Sequence, residues 1–310
     1  MQESGAAITD ETAPARRWGA AQRLEFIEFR AFWEGAVNRS DLTDQFRVSA
    51  PQASSDLAAY KELAPANLAY DASAKRYVAS ETFTPKLTRP NAEQYLAQLQ
   101  AWRAGVVELT DAWIGDPPSV EAVPLPARRV EASLLRDLMT AMRESRSVEI
   151  LYQSMSVARP DPRWRRVSPH ALATDGLRWH LRAFCHEDQL FKDFILSRCR
   201  GARNSGMAGA GQSQDADWQA FFDVLLSPNP SLSPGQRAAV VDEYAMPARG
   251  ELQLSVRRAL LYYLKMRLRL DVEGDRPAER PVVVANRADF EAALAAARGE
   301  VIKAIAETST

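Results

Sequence analysis

Between Ser147 and Arg203 the chain alternates like β-strand text, yet it carries a heavy load of cationic, imidazole and hydroxyl side chains. VEILYQSMS, RWRRVSPHALATDGLRWHLRAFC and DFILSRCR follow one another, and all three histidines, His170, His180 and His186, fall inside this stretch. From Arg143 to Arg203 there are 12 Lys/Arg against 7 Asp/Glu, in a chain whose formal net charge is −1. Directly opposed like charges on a sheet repel, so a face of this kind calls for an anion. Residues of equal parity share a strand face, which puts Arg178, His180 and Arg182 on one side. Trp179, Leu181 and Ala183 take the other, expected to be the inward one. Tyr152, Ser154 and Ser156 form a hydroxyl-bearing face on the first strand, and His170 follows a proline at the end of the second. With a hairpin centred near Asp188, Arg198 falls opposite Arg178, unless the register slips by one. Together these arginine, hydroxyl and imidazole donors could hold phosphate oxygens, arginine in bidentate fashion. The plainer reading is a solvated basic face that aids solubility or a domain contact. His186, in the turn, reads as surface.

A second set of residues lies near the N-terminus. From about Arg17 to Ala79 the pattern predicts three helices and a hairpin, a winged helix-turn-helix. Leu24, Ile27 and Ala31 mark the inner face of the first helix, and Gly35 ends it. Ser40 is the expected N-cap of the second. In SAPQASSDLAAYKEL, Ser49 caps, Pro51 sits harmlessly in the first turn, and Ala53, Leu57 and Tyr60 face inward. Gln52, Ser55 and Ala59 then point out, with Ser54 at the edge. B-DNA's major groove admits one helix. Gln52 could pair bidentately with adenine, while Ser49, Ser54 and Ser55 could reach phosphate or base, aided by the helix N-terminus. Lys75 and Arg76 on the wing could touch backbone or minor groove. The electrostatic footprint is weak, with 9 Lys/Arg and 8 Asp/Glu between Arg16 and Tyr77.

At 310 residues the chain has room for two or three domains. Residues 1–16 are expected to be a disordered lead rather than a signal peptide. The winged helix spans 17–84, a proline-bearing helical linker 85–142, and a strand-rich segment 143–206. A C-terminal α/β domain spans 217–310, with element order β-α-β-α and an amphipathic tail. No apolar run approaches the roughly 18 residues of a membrane span. Cys185 and Cys199 lie too far apart along the expected hairpin to bridge, so both read as reduced core thiols, which fits a cytoplasmic protein. A pI near 6.4 carries no global nucleic-acid signal.

LYQSMS, SPHALATDGLRWHLRAFC and FILSRC occur in order, with APQASSDLAAY before them and SPNPSLSPGQ and RRALLYYL after. This text resembles the WYL-domain regulators of the BrxR/CapW type from about Arg17 to Leu270. The naming Trp-Tyr-Leu triplet stands here as Trp179-His180-Leu181, without its tyrosine. The resemblance implies an α+β multidomain chain: winged helix-turn-helix, helical linker, Sm-like WYL barrel and C-terminal dimerisation domain. It further implies a homodimeric, ligand-responsive transcriptional repressor that binds an inverted-repeat DNA operator and controls a phage-defence operon. By motif it carries a ligand-sensing role onto Tyr152, Ser154, His170, Arg182 and Arg198, and also onto Ser156 and Arg178. A nucleotide or nucleic-acid fragment is the expected ligand. The competing reading is an accessory module using the barrel to bind RNA or single-stranded DNA. An enzyme is not expected, because the chain has no paired-His metal motif, Gly-rich phosphate loop or nucleophile elbow. No cofactor or metal is called for.

Overall fold

Phe26, Ile27 and Ala31 recur at helical spacing and close the core of an N-terminal helical cluster, each at most 1% exposed. The computed structural model describes residues 12–157, 159–270 and 277–307. Residues 1–11 of the expected lead lie outside it, while the first helix, α1 (Thr12–Glu34), already starts within that lead. The chain divides into two units between Leu125 and Pro126, a boundary that cuts the expected linker in two.

In the first unit, α1 stops at Gly35, whose φ of +73° suits glycine. After β1 (Ala36–Val37) comes α2 (Arg39–Phe46). Its N-cap is Asn38 rather than the expected Ser40. Asn38 Oδ1 accepts Asp41 N–H at 3.1 Å, and Asp41 returns the bond to Asn38 N–H at 2.7 Å, a reciprocal capping box. Ser40 instead donates to Asn38 Oδ1 at 2.5 Å. A left-handed Arg47 ends α2, and α3 (Ala50–Leu63) begins behind Ser49, which accepts Gln52 N–H at 3.3 Å. Ala53, Leu57 and Tyr60 are fully buried. The wing, β2 (Leu68–Asp71) and β3 (Arg76–Ala79), turns on Asp71, whose Oδ1 accepts the N–H groups of Ser73 and Ala74. The three strands order as β1-β3-β2. α4 (Ala92–Arg103) follows, capped by Asn91.

One buried carboxylate organises this unit. Glu28 on α1 is wholly inaccessible and accepts from Tyr60 Oη at 2.9 Å. It also accepts from Lys86 N at 2.8 Å, Leu87 N at 2.9 Å, Thr88 N at 2.7 Å and Thr88 Oγ1 at 2.8 Å. The chain leaving the wing is thereby tied to α1 and α3. Burial pushes the Glu28 carboxyl up, but these donors outweigh it and hold the group below its ordinary value.

The second unit opens with α5 (Ala132–Arg143), whose Leu134, Leu138 and Ala141 pack on one face of a five-stranded sheet. The strands are β4 (Arg146–Tyr152), β5 (Arg163–Thr174), β6 (Trp179–Cys185), β7 (Leu190–Ile195) and β8 (Cys199–Met207), ordered β7-β6-β5-β4-β8 and antiparallel throughout. The expected barrel is therefore an open sheet with β7 and β8 at its edges. β5 bulges between Pro169 and Ala171, where a proline has no N–H for the ladder. Both cysteines are free and buried. Cys199 pairs with Tyr152 across β4–β8, and burial pushes its thiol up to about 12.

After α6 (Ala216–Gln219) come β9 (Phe221–Pro228), α7 (Pro234–Glu243), β10 (Leu252–Arg257) and α8 (Leu261–Arg267), the expected β-α-β-α order. An unexpected third strand, β11 (Val282–Val284), completes an antiparallel sheet ordered β10-β9-β11, and α9 (Arg287–Glu307) is the expected tail helix. Val224, Leu226, Leu261, Phe290 and Leu294 form its core. Among the described residues no helix is long and apolar enough to cross a membrane.

Replacing Glu28 by Ala strands several buried donors and is expected to cost about 3 kcal/mol or more. Urea unfolding of the full chain, followed by hydrogen exchange of α1 and α3 amides, measures it. Because the folded pKa is depressed, the ionisation-linked part of the wild-type advantage is full above the ordinary glutamate value of about 4.3 and is lost progressively as pH falls through the lower folded value.

Candidate functional site

The local signals around α3 put its polar side chains where they were expected. Ser49, Gln52 and Ser55 are exposed, Ser54 is half-buried, and Lys75 and Arg76 are exposed at the wing tip. Gln52 is not free to swing, since its Nε2 donates to Asp56 Oδ1 at 3.0 Å. Asp56 is 5% exposed and is gripped by Arg23 of α1, Nε to Oδ2 at 2.6 Å and Nη2 to Oδ1 at 3.2 Å. Two cations were not singled out from the sequence. Arg39 opens α2, Arg47 follows its end, and both are exposed; Arg47's position at the turn between helices was the available signal.

The basic sheet face is a different matter. His180 and Arg182 do share a face, opposite Leu181 and Ala183, but that face is buried: His180 is 3% and Arg182 6% exposed. Arg182 donates through Nε to Asp215 Oδ2 at 2.7 Å and through Nη2 to Oδ1 at 3.0 Å. His170 Nε2 stands 3.0 Å from the same Oδ2, and Trp218 N donates to Oδ1 at 3.1 Å. The anion demanded by the face is thus supplied by the chain itself, from the N-cap of α6. Burial raises the Asp215 carboxyl, but the bonds from His170 and Arg182 and the arginine's charge prevail, bringing it down to about 2. Nothing in the strand text pointed to Asp215; the only signal was an aspartate at a capping position before Ala216-Asp217-Trp218.

The network continues outward. Arg182 Nη1 lies 3.4 Å from Asp193 Oδ1, and Tyr263 of α8 donates to Asp193 Oδ2 at 2.9 Å. Tyr263 Oη is also 3.4 Å from His180 Nδ1, while His180 Nε2 is 3.3 Å from Asp175. Beside Arg182 lies a cavity of about 360 Å³, walled by Phe191, Asp193, Arg258, Tyr262 and Tyr263. Arg258 pairs there with Asp217.

The remaining predicted residues scatter. β4 ends at Tyr152, so Ser154 and Ser156 belong to a loop, where Ser154 Oγ accepts Ser156 N–H at 3.1 Å. Tyr152 points to the core face, edge-on to Phe194 at 5.0 Å. Arg198 does not oppose Arg178. β7 stops at Ile195, and residues 196–198 form a 3-10 turn that carries the chain across to β4. Among the described residues Arg198 has no ion pair, whereas Arg178 pairs with Asp175 at the hairpin tip. His170 sits at the bulge inside β5, not at its end. Trp179, the first residue of β6, is 54% exposed rather than inward. His186 is half-buried, with Nε2 2.8 Å from Ser168 Oγ. The turn itself is pinned by Asp188, 2% exposed, which meets Lys192 at 2.6 Å and Arg165 at 3.1 Å. Among the described residues no group of three His, Cys, Asp or Glu could hold a metal.

Arg182→Ala leaves Asp215 buried without its main partner and is expected to destabilise the second unit by about 3–5 kcal/mol. Arg182→Met with Asp215→Asn should cost less than Arg182→Ala alone; urea midpoints decide. Asp215's contribution is full above about pH 4 and is lost as pH falls toward about 2, since its folded pKa is depressed.

Three family models match in chain order. They are the BrxR transcriptional regulator winged helix-turn-helix domain over residues 19–101, the WYL domain over 133–204, and the BrxR transcriptional regulator C-terminal dimerization domain over 221–290. Several relatives carry the name DNA-binding transcriptional repressor CapW. The one from Stenotrophomonas maltophilia is 40% identical over 273 residues, 87% of this chain and 90% of that protein. The Pseudomonas aeruginosa protein is 37% identical over 288 residues, covering 89% and 95%. That of Escherichia coli (strain KTE188) is 40% identical over 254 residues, covering 82% and 84%. With three matched domains in order and this identity over nearly full length, the chain belongs to the BrxR/CapW family of WYL-domain transcriptional regulators.

Proposed function

We propose that the protein is a cytoplasmic, homodimeric transcriptional repressor that binds an inverted-repeat operator and controls a bacterial phage-defence operon. The observation that carries this is α3, which buries Ala53, Leu57 and Tyr60 while presenting Gln52 and Ser55 to solvent from its first two turns. A helix so capped offers donors and acceptors at the depth of a major groove. The match of residues 221–290 to a dimerization domain supports two copies, and a two-fold protein reads two half-sites. Footprinting over the DNA upstream of the reading frame should show two protected half-sites about one helical turn apart. Gln52→Ala with Ser55→Ala should abolish the preference over random duplex without changing the fold. Affinity should fall steeply with salt as phosphate contacts release counterions. Equal wild-type affinity for random duplex would sink the operator.

The repressor also responds to a ligand on this reading. A phosphate-bearing molecule, a nucleotide or short nucleic-acid fragment, takes His170 and Arg182 by displacing Asp215. The cavity beside Arg182 supports it by its size, about 360 Å³. Displacement alters repression only where the ligand prefers one state of the dimer. Asp215→Asn removes the internal competitor and should tighten binding of inorganic phosphate or mononucleotides about tenfold, read by calorimetry. Failure of both wild type and variant to bind any of them would remove the ligand from the account.

A further inference from the structure

We infer that Arg23 and Asp56 are positioning residues for sequence reading: through a buried ion pair that never meets DNA, they hold the Gln52 carboxamide in its reading orientation. The inference rests on the operator reading above. Gln52 occupies the third position of α3, and Asp56 lies one turn further along. Helical side chains lean toward the N-terminus, so Asp56 reaches back and accepts from Gln52 Nε2 at 3.0 Å. An isolated carboxylate this deeply buried is unfavourable. Arg23, arriving from α1, neutralises it with a two-bond fork at 2.6 and 3.2 Å. Both side chains are withdrawn from solvent, 14% exposed for Arg23 and 7% for Asp56.

The consequence lies in what Gln52 keeps. A carboxamide has two N–H donors and one carbonyl acceptor. Asp56 takes one N–H. The other N–H and Oε1 remain, which is the donor and acceptor pair that adenine N7 and N6 require. An untethered surface glutamine must lose rotamer freedom when it binds, whereas this one has already lost much of it. The ordering is done by the fold, through a contact between α1 and α3.

The test separates positioning from a merely structural bridge. Arg23→Met with Asp56→Ala removes one charge of each sign, so attraction to phosphate and the salt slope should not change. Wild type, Gln52→Ala, this paired variant and the triple variant are titrated against a duplex spanning the upstream region and a scrambled duplex of equal composition. The paired variant should lose roughly five- to tenfold of the preference, from the freed glutamine rotors, with scrambled binding unaltered. The triple variant should be no less selective than Gln52→Ala, since the pair acts through Gln52. A paired variant as selective as wild type overturns the inference, and so does a triple variant that loses further preference. Should the paired variant not fold by thermal melting, Asp56→Asn serves in its place. It keeps one acceptor but breaks the fork, and should lose about two- to threefold by the same rotor argument; no loss overturns. A wild type without preference overturns the operator reading and this inference together.

Discussion

Asp215 is 1% exposed, and a carboxylate so buried is tolerable only when its lone pairs are taken by donors. Two come from Arg182, one from His170 and one from the backbone of Trp218. That requirement ties the start of the C-terminal region to the sheet, since Arg182 and His170 lie 33 and 45 residues away in sequence. It also decides the character of the sheet's second face. His180 and Arg182 are not displayed to solvent; they are engaged by Asp175, Asp193 and Asp215.

The same physical solution recurs across the molecule. Glu28 collects donors from α3 and from residues 86–88, Asp56 collects Arg23 and Gln52, and Asp188 collects Arg159, Arg165 and Lys192. Each joins segments remote in sequence, and each would be costly to expose or leave unpaired. Among the described residues of 17–84 the exposed cations are Arg39, Arg47, Lys75 and Arg76, so on the proposed reading a dimer sums two such sets to hold a duplex.

Buried ion pairs also shape how a regulator of this family could switch. Such pairs contribute little net stability relative to apolar packing, yet breaking one side is expensive. A competitor anion that replaces one partner without leaving the other stranded avoids that cost. Asp215 stands where such an exchange is chemically natural, next to an arginine that already meets a second carboxylate, Asp193. Tyr263, inside the segment that matches the dimerization domain, donates to that same second carboxylate.

Much of the fold was legible in the sequence because its signals are local. Caps, glycine stops and the 3.6-residue period placed α1, α3, α4 and α5, and period-two alternation placed Leu181 and Ala183 inward and His180 and Arg182 opposite. The turn at residues 186–189 and the outward set of Gln52 and Ser55 followed from the same short-range rules. Asn38 taking the cap from Ser40, and β11, were close contests among neighbouring or short segments. What tertiary structure alone decided was partnership. Arg198 left the ladder because the chain crosses to β4, Tyr152 turned to the core, Trp179 at the start of β6 stayed exposed, and the basic face found its anion in Asp215. Periodicity says which way a side chain points, but not what lies opposite. The filling of a buried charge depends on groups tens of residues away, and only the packed chain brings them within 3 Å.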